Sequence, residues 1–127
     1  MDTWKTAAEE EIRLGLAERA QGLEGRARVR ARRAAGHIVG EYFRRQGIPD
    51  PAGPNAYERL KMLLALPATP PDARIAAQRL TMKVDMQFRL PPHVDLFTEV
   101  QRLTIALLHE PLASLPTPDA PDVTQTL

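Results

Sequence analysis

The sequence predicts an all-α protein, a compact bundle of four to five helices, and three observations support this prediction. None of the 12 prolines lies before Pro49, so the first 48 residues are free to be helical. The later prolines cut the rest of the chain into helix-length segments, because proline removes a backbone donor and clashes with the preceding turn. Apolar residues recur every three to four positions, and no segment shows the two-residue alternation of a strand.

The composition limits the class of protein. The 127 residues include 17 Lys and Arg against 16 Asp and Glu, and 43% are hydrophobic, which is typical of one small globular domain. The absence of cysteine excludes thiolate catalysis, disulfides and cysteine zinc sites. The sequence shows neither a signal peptide nor a long apolar run, so we expect a cytoplasmic protein that does not bind membranes.

The proline-free region is predicted to be helical over residues 3–46. Gly22 and Gly25 weaken the middle of this region without excluding one long bent helix, and we expect two nearly collinear helices. Asp2 and Thr3 are the candidates for the N-cap. The first apolar face is predicted to comprise Trp4, Ala8, Ile12, Leu16 and Leu23.

A reversal of the chain is predicted after this region. Gly47 suits the end of a helix, and residues 48–54 contain three prolines and a glycine. Asn55 then caps a helix over residues 56–66. Its apolar stripe is predicted to comprise Tyr57, Leu60, Leu63 and Leu64. Residues 60–64 also match the LxxLL pattern of groove-binding peptides, but inside a capped helix they are expected to be core.

Two more helices and a tail complete the prediction. Thr69, Pro70 and Asp72 suggest an N-cap, a first-turn proline and a first-turn acid for a helix over residues 70–89. Its apolar positions are Ala73, Ala76, Ala77, Leu80, Val84 and Phe88, with Met82 and Met86 beside them. The last helix, residues 93–110, is predicted to bury Phe97, Val100, Leu103, Thr104, Leu107 and Leu108.

The composition changes after residue 110. Residues 111–127 contain four prolines, two aspartates and no basic residue. We expect this Pro-rich acidic tail to be disordered or to lie extended on a partner. Residues 1–110 are accordingly predicted to form a single helical domain.

The charges are unevenly distributed along the chain. Residues 1–25 carry three basic and six acidic side chains, whereas residues 26–45 carry seven arginines and one glutamate. On a helix, Arg26, Arg30, Arg33, His37 and Arg44 fall near one line about 27 Å long, opposite a face of alanines. The predicted nucleic-acid-binding residues are these five together with Arg28, Arg32 and Arg45.

The arginine stripe has three interpretations. Arginine outnumbers lysine 14 to 3, and its planar donor fork binds phosphate in a bidentate manner, which favours contact with a nucleic-acid backbone. RNA or single-stranded DNA is favoured over a specific duplex. The arginines could instead pair with an acidic protein or with the acidic first helix, or simply form a solvated helix face.

Other candidate chemistry is sparse. His37 and Glu41 lie at i and i+4 and could supply two metal ligands, but no third ligand accompanies them, so a structural or solvent-facing histidine is expected. Phe43 is a candidate for stacking on a base, and Gly36 and Gly40 are spaced to admit a closely packed helix. No P-loop, dinucleotide-binding or nucleophile-elbow motif occurs, so we predict no enzyme, no cofactor and no metal site.

By fold and charge, a small helical chain with one arginine-lined helix resembles the small helical subunits of bacterial RNA-guided effector complexes. The resemblance implies a non-enzymatic subunit that contacts nucleic-acid backbone within a ribonucleoprotein-type assembly, with protein partners around it. A homo-oligomer is also compatible with the sequence. The alternative is a helical adaptor or assembly protein that binds an acidic protein partner.

Overall fold

The computed structural model describes residues 3–50, 55–83, 90–91 and 94–118, and within them the chain forms five α-helices and no strand. The all-helical prediction is therefore confirmed over this part of the chain. The helices are α1 (Thr3–Ala20), α2 (Glu24–Gln46), α3 (Ala56–Ala65), α4 (Pro71–Leu80) and α5 (Leu96–Leu108). Asp2, one N-cap candidate, lies outside the described residues, and Thr3 is the first helical residue.

α1 and α2 form an antiparallel hairpin, so the prediction of two helices is right and the prediction that they are collinear is wrong. The N–H of Gly22 donates to the Arg19 carbonyl and the N–H of Leu23 to the Glu18 carbonyl, each at 2.9 Å. This pair of bonds is a Schellman motif, and it places Gly22 at a φ of 79°, a conformation that favours glycine. The chain therefore reverses within residues 21–23.

α2 is the central helix. It packs against α1, α3 and α5, while α4 packs against α3 and α5. The small residues predicted to face the core are buried at their helix contacts, which allows the helices to approach closely. The buried apolar residues of α2 are Ala27, Ala31, Ala34, Ala35, Ile38, Val39 and Phe43.

α3 begins as predicted. The Asn55 side-chain oxygen accepts a hydrogen bond from the Glu58 N–H at 3.2 Å, which satisfies one of the free donors of the first turn. Leu60 and Leu63 are buried, so this part of the LxxLL pattern is core packing, as expected. Tyr57 is exposed, contrary to the prediction, because it lies in the first turn, where its ring contacts the Lys61 ammonium at 5.3 Å.

α4 is shorter than predicted. The Thr69 hydroxyl donates to the Leu63 carbonyl at 2.7 Å and ties the α3–α4 turn instead of capping α4, whose N-cap is Pro70. α4 ends at Leu80 rather than near residue 89. The predicted core positions Ala73, Ala76, Ala77 and Leu80 are buried, whereas Val84, Met86 and Phe88 lie outside the described residues.

α5 is bounded by two residues that satisfy its ends. The Asp95 carboxylate accepts from the Phe97 N–H at 2.9 Å and caps the N-terminus. His109 ends the helix in the left-handed conformation, with a φ of 60°. The six residues predicted to be buried in this helix are buried: Phe97, Val100, Leu103, Thr104, Leu107 and Leu108.

Residues 111–118, which we call the strap, pack against the bundle. Leu112 and Leu115 join the core, although the composition predicts a tail that is disordered or extended on a partner. The buried Gln101 amide donates to the carbonyls of Leu112 and Leu115 at 2.9 and 3.1 Å and accepts from the Leu112 N–H at 2.8 Å. The expectation for residues 119–127 lies outside the described residues.

Candidate functional site

Three of the five stripe residues, Arg26, Arg33 and Arg44, lie on the part of α2 that other helices leave uncovered. α1 packs on the side of Arg30, where a Cβ on Gly15 would lie 2.8 Å from the Arg30 Cβ. α3 packs on the side of Gly36 and Gly40. Between these two contacts a narrow part of α2 is exposed, and we call it the exposed strip. It comprises Arg26, Val29, Arg33 and Arg44.

Arg26 and Arg33 are the freest predicted site residues. Both are exposed or half-exposed on α2, and neither forms a side-chain hydrogen bond or an ion pair with any part of the chain that the structure describes. They lie seven residues apart on one face of α2, a separation of about 10 Å along the helix axis. These two arginines are therefore exposed on one face of α2, as the helical positions predicted, and their binding role stays a prediction.

Arg30 is turned toward α1 instead of solvent. Its guanidinium donates to the carboxylates of Glu11 and Glu18, both at 3.2 Å. These hydrogen bonds, that to Glu11 first, raise the pKa of Arg30. Of the three interpretations of the stripe, pairing with the acidic first helix applies to this residue.

Arg32 also has an internal role. Its Nε donates to the Leu80 carbonyl at 2.8 Å and its Nη2 to the Met82 carbonyl at 3.3 Å, which satisfies acceptors at the end of α4. Burial lowers the pKa of this guanidinium, and the neighbouring charge of Arg28 adds to the effect. Arg28 itself borders a cleft of about 330 Å³ with Arg19 and Glu24.

Glu41 binds the last two arginines of the predicted site. Its side chain is only 8% exposed and accepts bonds from Arg44 at 2.9 and 2.6 Å and from Arg45 at 2.8 Å. The two Arg44 hydrogen bonds, with the one from Arg45, lower the pKa of Glu41 to about 2 against the opposing effect of burial. Arg45 also lies 5.7 Å from the Trp4 ring, whereas the Arg44 side chain is 71% exposed.

His37 lies in a cleft of about 340 Å³ between α1, α2 and α3, with Glu11, Arg33 and Arg59 around it. Desolvation lowers its pKa, the Arg59 charge acts in the same direction, and Glu11 opposes them. The imidazole is therefore neutral at pH 7 and contributes no charge to the stripe. Among the described residues, no group of three or more His, Cys, Asp or Glu side chains could hold a metal ion.

The close α2–α3 contact follows the predicted glycine spacing. A Cβ on Gly36 would lie 2.7 Å from the Ala56 Cβ, and one on Gly40 would lie 2.8 Å from Arg59 Nη1. Arg59 donates to the Gly36 carbonyl at 3.0 Å and to Asp50 at 3.1 and 2.6 Å. Arg59 was missed by the sequence analysis, because only the fold brings it beside α2.

The prediction that Phe43 stacks on a base is wrong. The ring is buried in the core, since α2 packs on three sides and its covered arc extends beyond the alanine face. Tyr42, assigned to the core face, is half-buried. No aromatic side chain is therefore available on the exposed strip.

The described helices and the comparisons with known proteins assign the chain to no further class. None of the described helices has the length and apolarity needed to span a bilayer. In comparisons with known proteins, no family model, no curated protein and no solved structure matches this chain.

Proposed function

We propose that the protein is a non-enzymatic helical subunit that binds the backbone of a single-stranded nucleic acid through the exposed strip of α2. One observation carries the proposal. Arg26 and Arg33 extend from the central helix, and neither meets a carboxylate in the described part of the chain. A cation with no acidic partner on a well-packed helix is available to bind a phosphate without first breaking an ion pair.

Arg44 extends the strip. Its guanidinium already donates to Glu41, but the side chain is largely exposed, and an arginine carries five N–H donors. The distance from Arg26 to Arg44 along the helix is about 27 Å. Three arginines over this length suit contacts with separate phosphates of one strand, and such contacts do not depend on base sequence.

The internal arginines make the proposed interface smaller than the stripe suggests. Arg30, Arg32 and Arg45 have acceptors within the chain, so they are not proposed as phosphate ligands. About three phosphate contacts would give a slope of roughly −2 for log affinity against log salt with a single strand. So few phosphate contacts suit a subunit that acts beside other nucleic-acid-binding subunits of an assembly.

The test compares the wild type with the double variant Arg26→Gln and Arg33→Gln. We expect the double variant to bind a fluorescent single-stranded RNA more weakly and to show a salt slope flatter by about 1.4, because two phosphate contacts are lost. Fluorescence anisotropy over a salt series measures the slope. Circular dichroism should be unchanged, since neither side chain is buried and glutamine is a good helix former.

A matched control removes two charges elsewhere. Lys61 and Lys83 are exposed and lie outside α2, and their replacement by glutamine changes the net charge by the same amount. The control should retain the wild-type salt slope. Equal losses in both double variants would indicate diffuse attraction to the whole surface and would contradict a defined strip, as would the absence of RNA binding by the wild type at low salt.

One observation favours the adaptor function as a second candidate. Val29 is 47% exposed and lies between Arg26 and Arg33 on the exposed strip, so an apolar contact is flanked by two cations. This arrangement suits an acidic protein surface with an apolar anchor. Replacement of Val29 by serine should leave RNA binding unchanged. If the wild type fails to bind RNA and a copurifying protein is lost with Val29→Ser, the adaptor function is the correct one.

A further inference from the structure

A second surface lies between α4 and α5, apart from the exposed strip. It is a groove of about 400 Å³ whose lining includes Asp72, Ile75, Arg79, Ile105, Ala106 and Pro118. Ile75 is 46% exposed at this groove, although isoleucine is among the residues most often buried. The groove therefore combines an exposed apolar side chain with charged residues of both signs, because Glu99 and Arg102 line it as well as Asp72 and Arg79.

Two of these charged residues, Asp72 and Arg79, lie on either side of Ile75 along α4. Asp72 and Arg79 are seven residues apart, so they lie on the same side of α4, about 10 Å apart along its axis. Ile75 lies almost midway between them. If a second α4 is laid antiparallel on the first, a two-fold axis near Ile75 brings Asp72 of each copy to Arg79 of the other, twice over.

We propose that this groove is the contact face of a homodimer in which α4 pairs antiparallel with α4 of a second copy of the chain. Ile75 of each copy inserts into the groove of the other, against Ile105 and Ala106. The two Asp72–Arg79 pairs flank this apolar centre and fix the antiparallel direction. A second copy is the occupant that fits, because the same surface supplies both the isoleucine and the groove, and both signs of charge.

The charged groups needed for this contact are available. Asp72 is exposed and accepts no side-chain hydrogen bond from the described residues. Among the described residues Arg79 donates only through Nη1, to Glu99 at 3.1 Å, so its Nε and Nη2 have no acceptor there and can bind a carboxylate of the second copy. Each guanidinium can thus bind Asp72 of the other chain without giving up its contact within its own.

Glu99 gives an independent indication that the groove is incomplete in a single chain. It lines the groove and is 1% exposed, and its Oε2 accepts from Arg79 and Arg102. Its Oε1 is buried without a hydrogen-bond partner among the described residues, an arrangement that native proteins rarely leave unpaired. A second copy seated in the groove can bring a donor to this oxygen, which no described residue of the single chain supplies.

The size of the contact sets the expected affinity. α4 has ten residues and is about 15 Å long, so the contact buries less than the ~800 Å² per partner of a stable complex. We therefore expect a reversible dimer with a dissociation constant on the order of micromolar. Sedimentation velocity of the full chain over a range of concentrations should show the monomer converting to the dimer as the concentration rises.

The decisive experiment uses Asp72→Arg and Arg79→Asp, each in the full chain. Alone, each variant places like charges opposite each other at both contacts and should be monomeric. When the two variants are mixed in equal amounts, the introduced arginine of one chain faces the introduced aspartate of the other. At the second contact the native Arg79 and Asp72 meet, so the dimer should return as a heterodimer. Failure of the mixture to dimerise, with both variants folded by circular dichroism, contradicts the antiparallel pairing.

A second variant guards against a fold defect from Arg79→Asp, which also removes a donor from Glu99. Ile75→Asp changes an exposed side chain, so the thermal midpoint should be unchanged while dimerisation weakens at least about tenfold. Val29→Asp, at a similarly exposed position on α2, is the matched control and should dimerise as the wild type does. A wild type that stays monomeric at all concentrations, or a dimer insensitive to Ile75→Asp, overturns the proposal. RNA binding is a separate readout, because the groove shares no residue with the exposed strip.

Discussion

Glu41 shows how one buried carboxylate organises the C-terminal end of α2. It accepts bonds from Arg44 and Arg45, and its pKa is lowered to about 2. Because the folded pKa lies below the unfolded value of 4.5, the ion pairs stabilise the fold fully above pH 4.5. That contribution is lost as the pH falls from 4.5 through 2.

Replacement of Glu41 by glutamine should therefore destabilise the protein in a pH-dependent manner. We expect a loss of about 1–2 kcal/mol at pH 7, less than the full pKa shift implies, because Arg44 is exposed to solvent and its attraction is screened. The difference between wild type and variant should shrink toward zero near pH 2. Urea unfolding at several pH values measures it. A difference that stays constant with pH would show that Glu41 acts through packing instead of charge.

The site residues could be predicted from the sequence only in part. The angular positions on α2 correctly grouped Arg26, Arg33 and Arg44, because a helix fixes which side chains share a face. The same positions could not show that Arg30 meets Glu11 and Glu18, since that depends on the side from which α1 packs. The periodicity of one helix predicts which face each side chain lies on, but not which residues of other helices it contacts.

At the scale of the elements, the contact between α2 and α3 depends on the absence of one carbon atom. A Cβ on Gly36 would lie 2.7 Å from the Ala56 Cβ and 2.9 Å from its Cα. The backbone of α3 cannot yield as a flexible side chain can, so an added methyl group pushes the helices apart. Gly36 thus serves close packing, even though glycine lowers helix propensity.

Replacement of Gly36 by alanine should lower the free energy of unfolding by about 1–3 kcal/mol. Gly25→Ala is the matched control, because a Cβ at Gly25 meets nothing within 4 Å. This control should be stabilising by up to about 1 kcal/mol through helix propensity. Urea denaturation of both variants gives the two values, and a stabilising Gly36→Ala would contradict the close contact.

The capping signal at Asn55 predicted a helix start, whereas the sequence did not predict the direction of α2 relative to α1. Asn55 caps α3 as expected, because its side chain acts on its own neighbouring backbone. Gly22 weakens the predicted helix, but the sequence does not distinguish a glycine that ends a helix from a glycine within one. Only the Schellman bonds at Gly22 decide that the chain turns back.

For the molecule as a whole, the strap extends the core beyond the last helix. Its Leu112 and Leu115 are buried, and its backbone is bound by one buried side chain, Gln101. The sequence offered no signal for this segment, because an irregular strap has no apolar period and its pair of leucines is too short a pattern to interpret. The position of the strap depends on the Gln101 amide of α5. For that helix the sequence predicted only the apolar face.

Replacement of Gln101 by methionine should destabilise the whole protein by at least about 2 kcal/mol. The variant keeps a similar volume but leaves the N–H and C=O groups of Leu112 unpaired, at about 1–3 kcal/mol each when buried. Gln78→Met, at an exposed position of α4, should change the stability by less than about 0.5 kcal/mol. Thermal unfolding compares the two. Equal, small effects would mean that the strap contributes little to the core.

The strap also joins segments that are far apart in the chain. Glu9 of α1 accepts from the backbone N–H groups of Ala113 and Ser114, and Lys5 donates to Glu110, the residue before the strap, across 105 residues. The α1–α2 hairpin, by contrast, closes through a turn of three residues. Since loop closure costs more entropy over longer separations, we expect the hairpin to form early in folding and the contacts of the strap to form late. During synthesis, Lys5 and Glu9 of α1 therefore have to wait for their partners until residues 110–114 have been made.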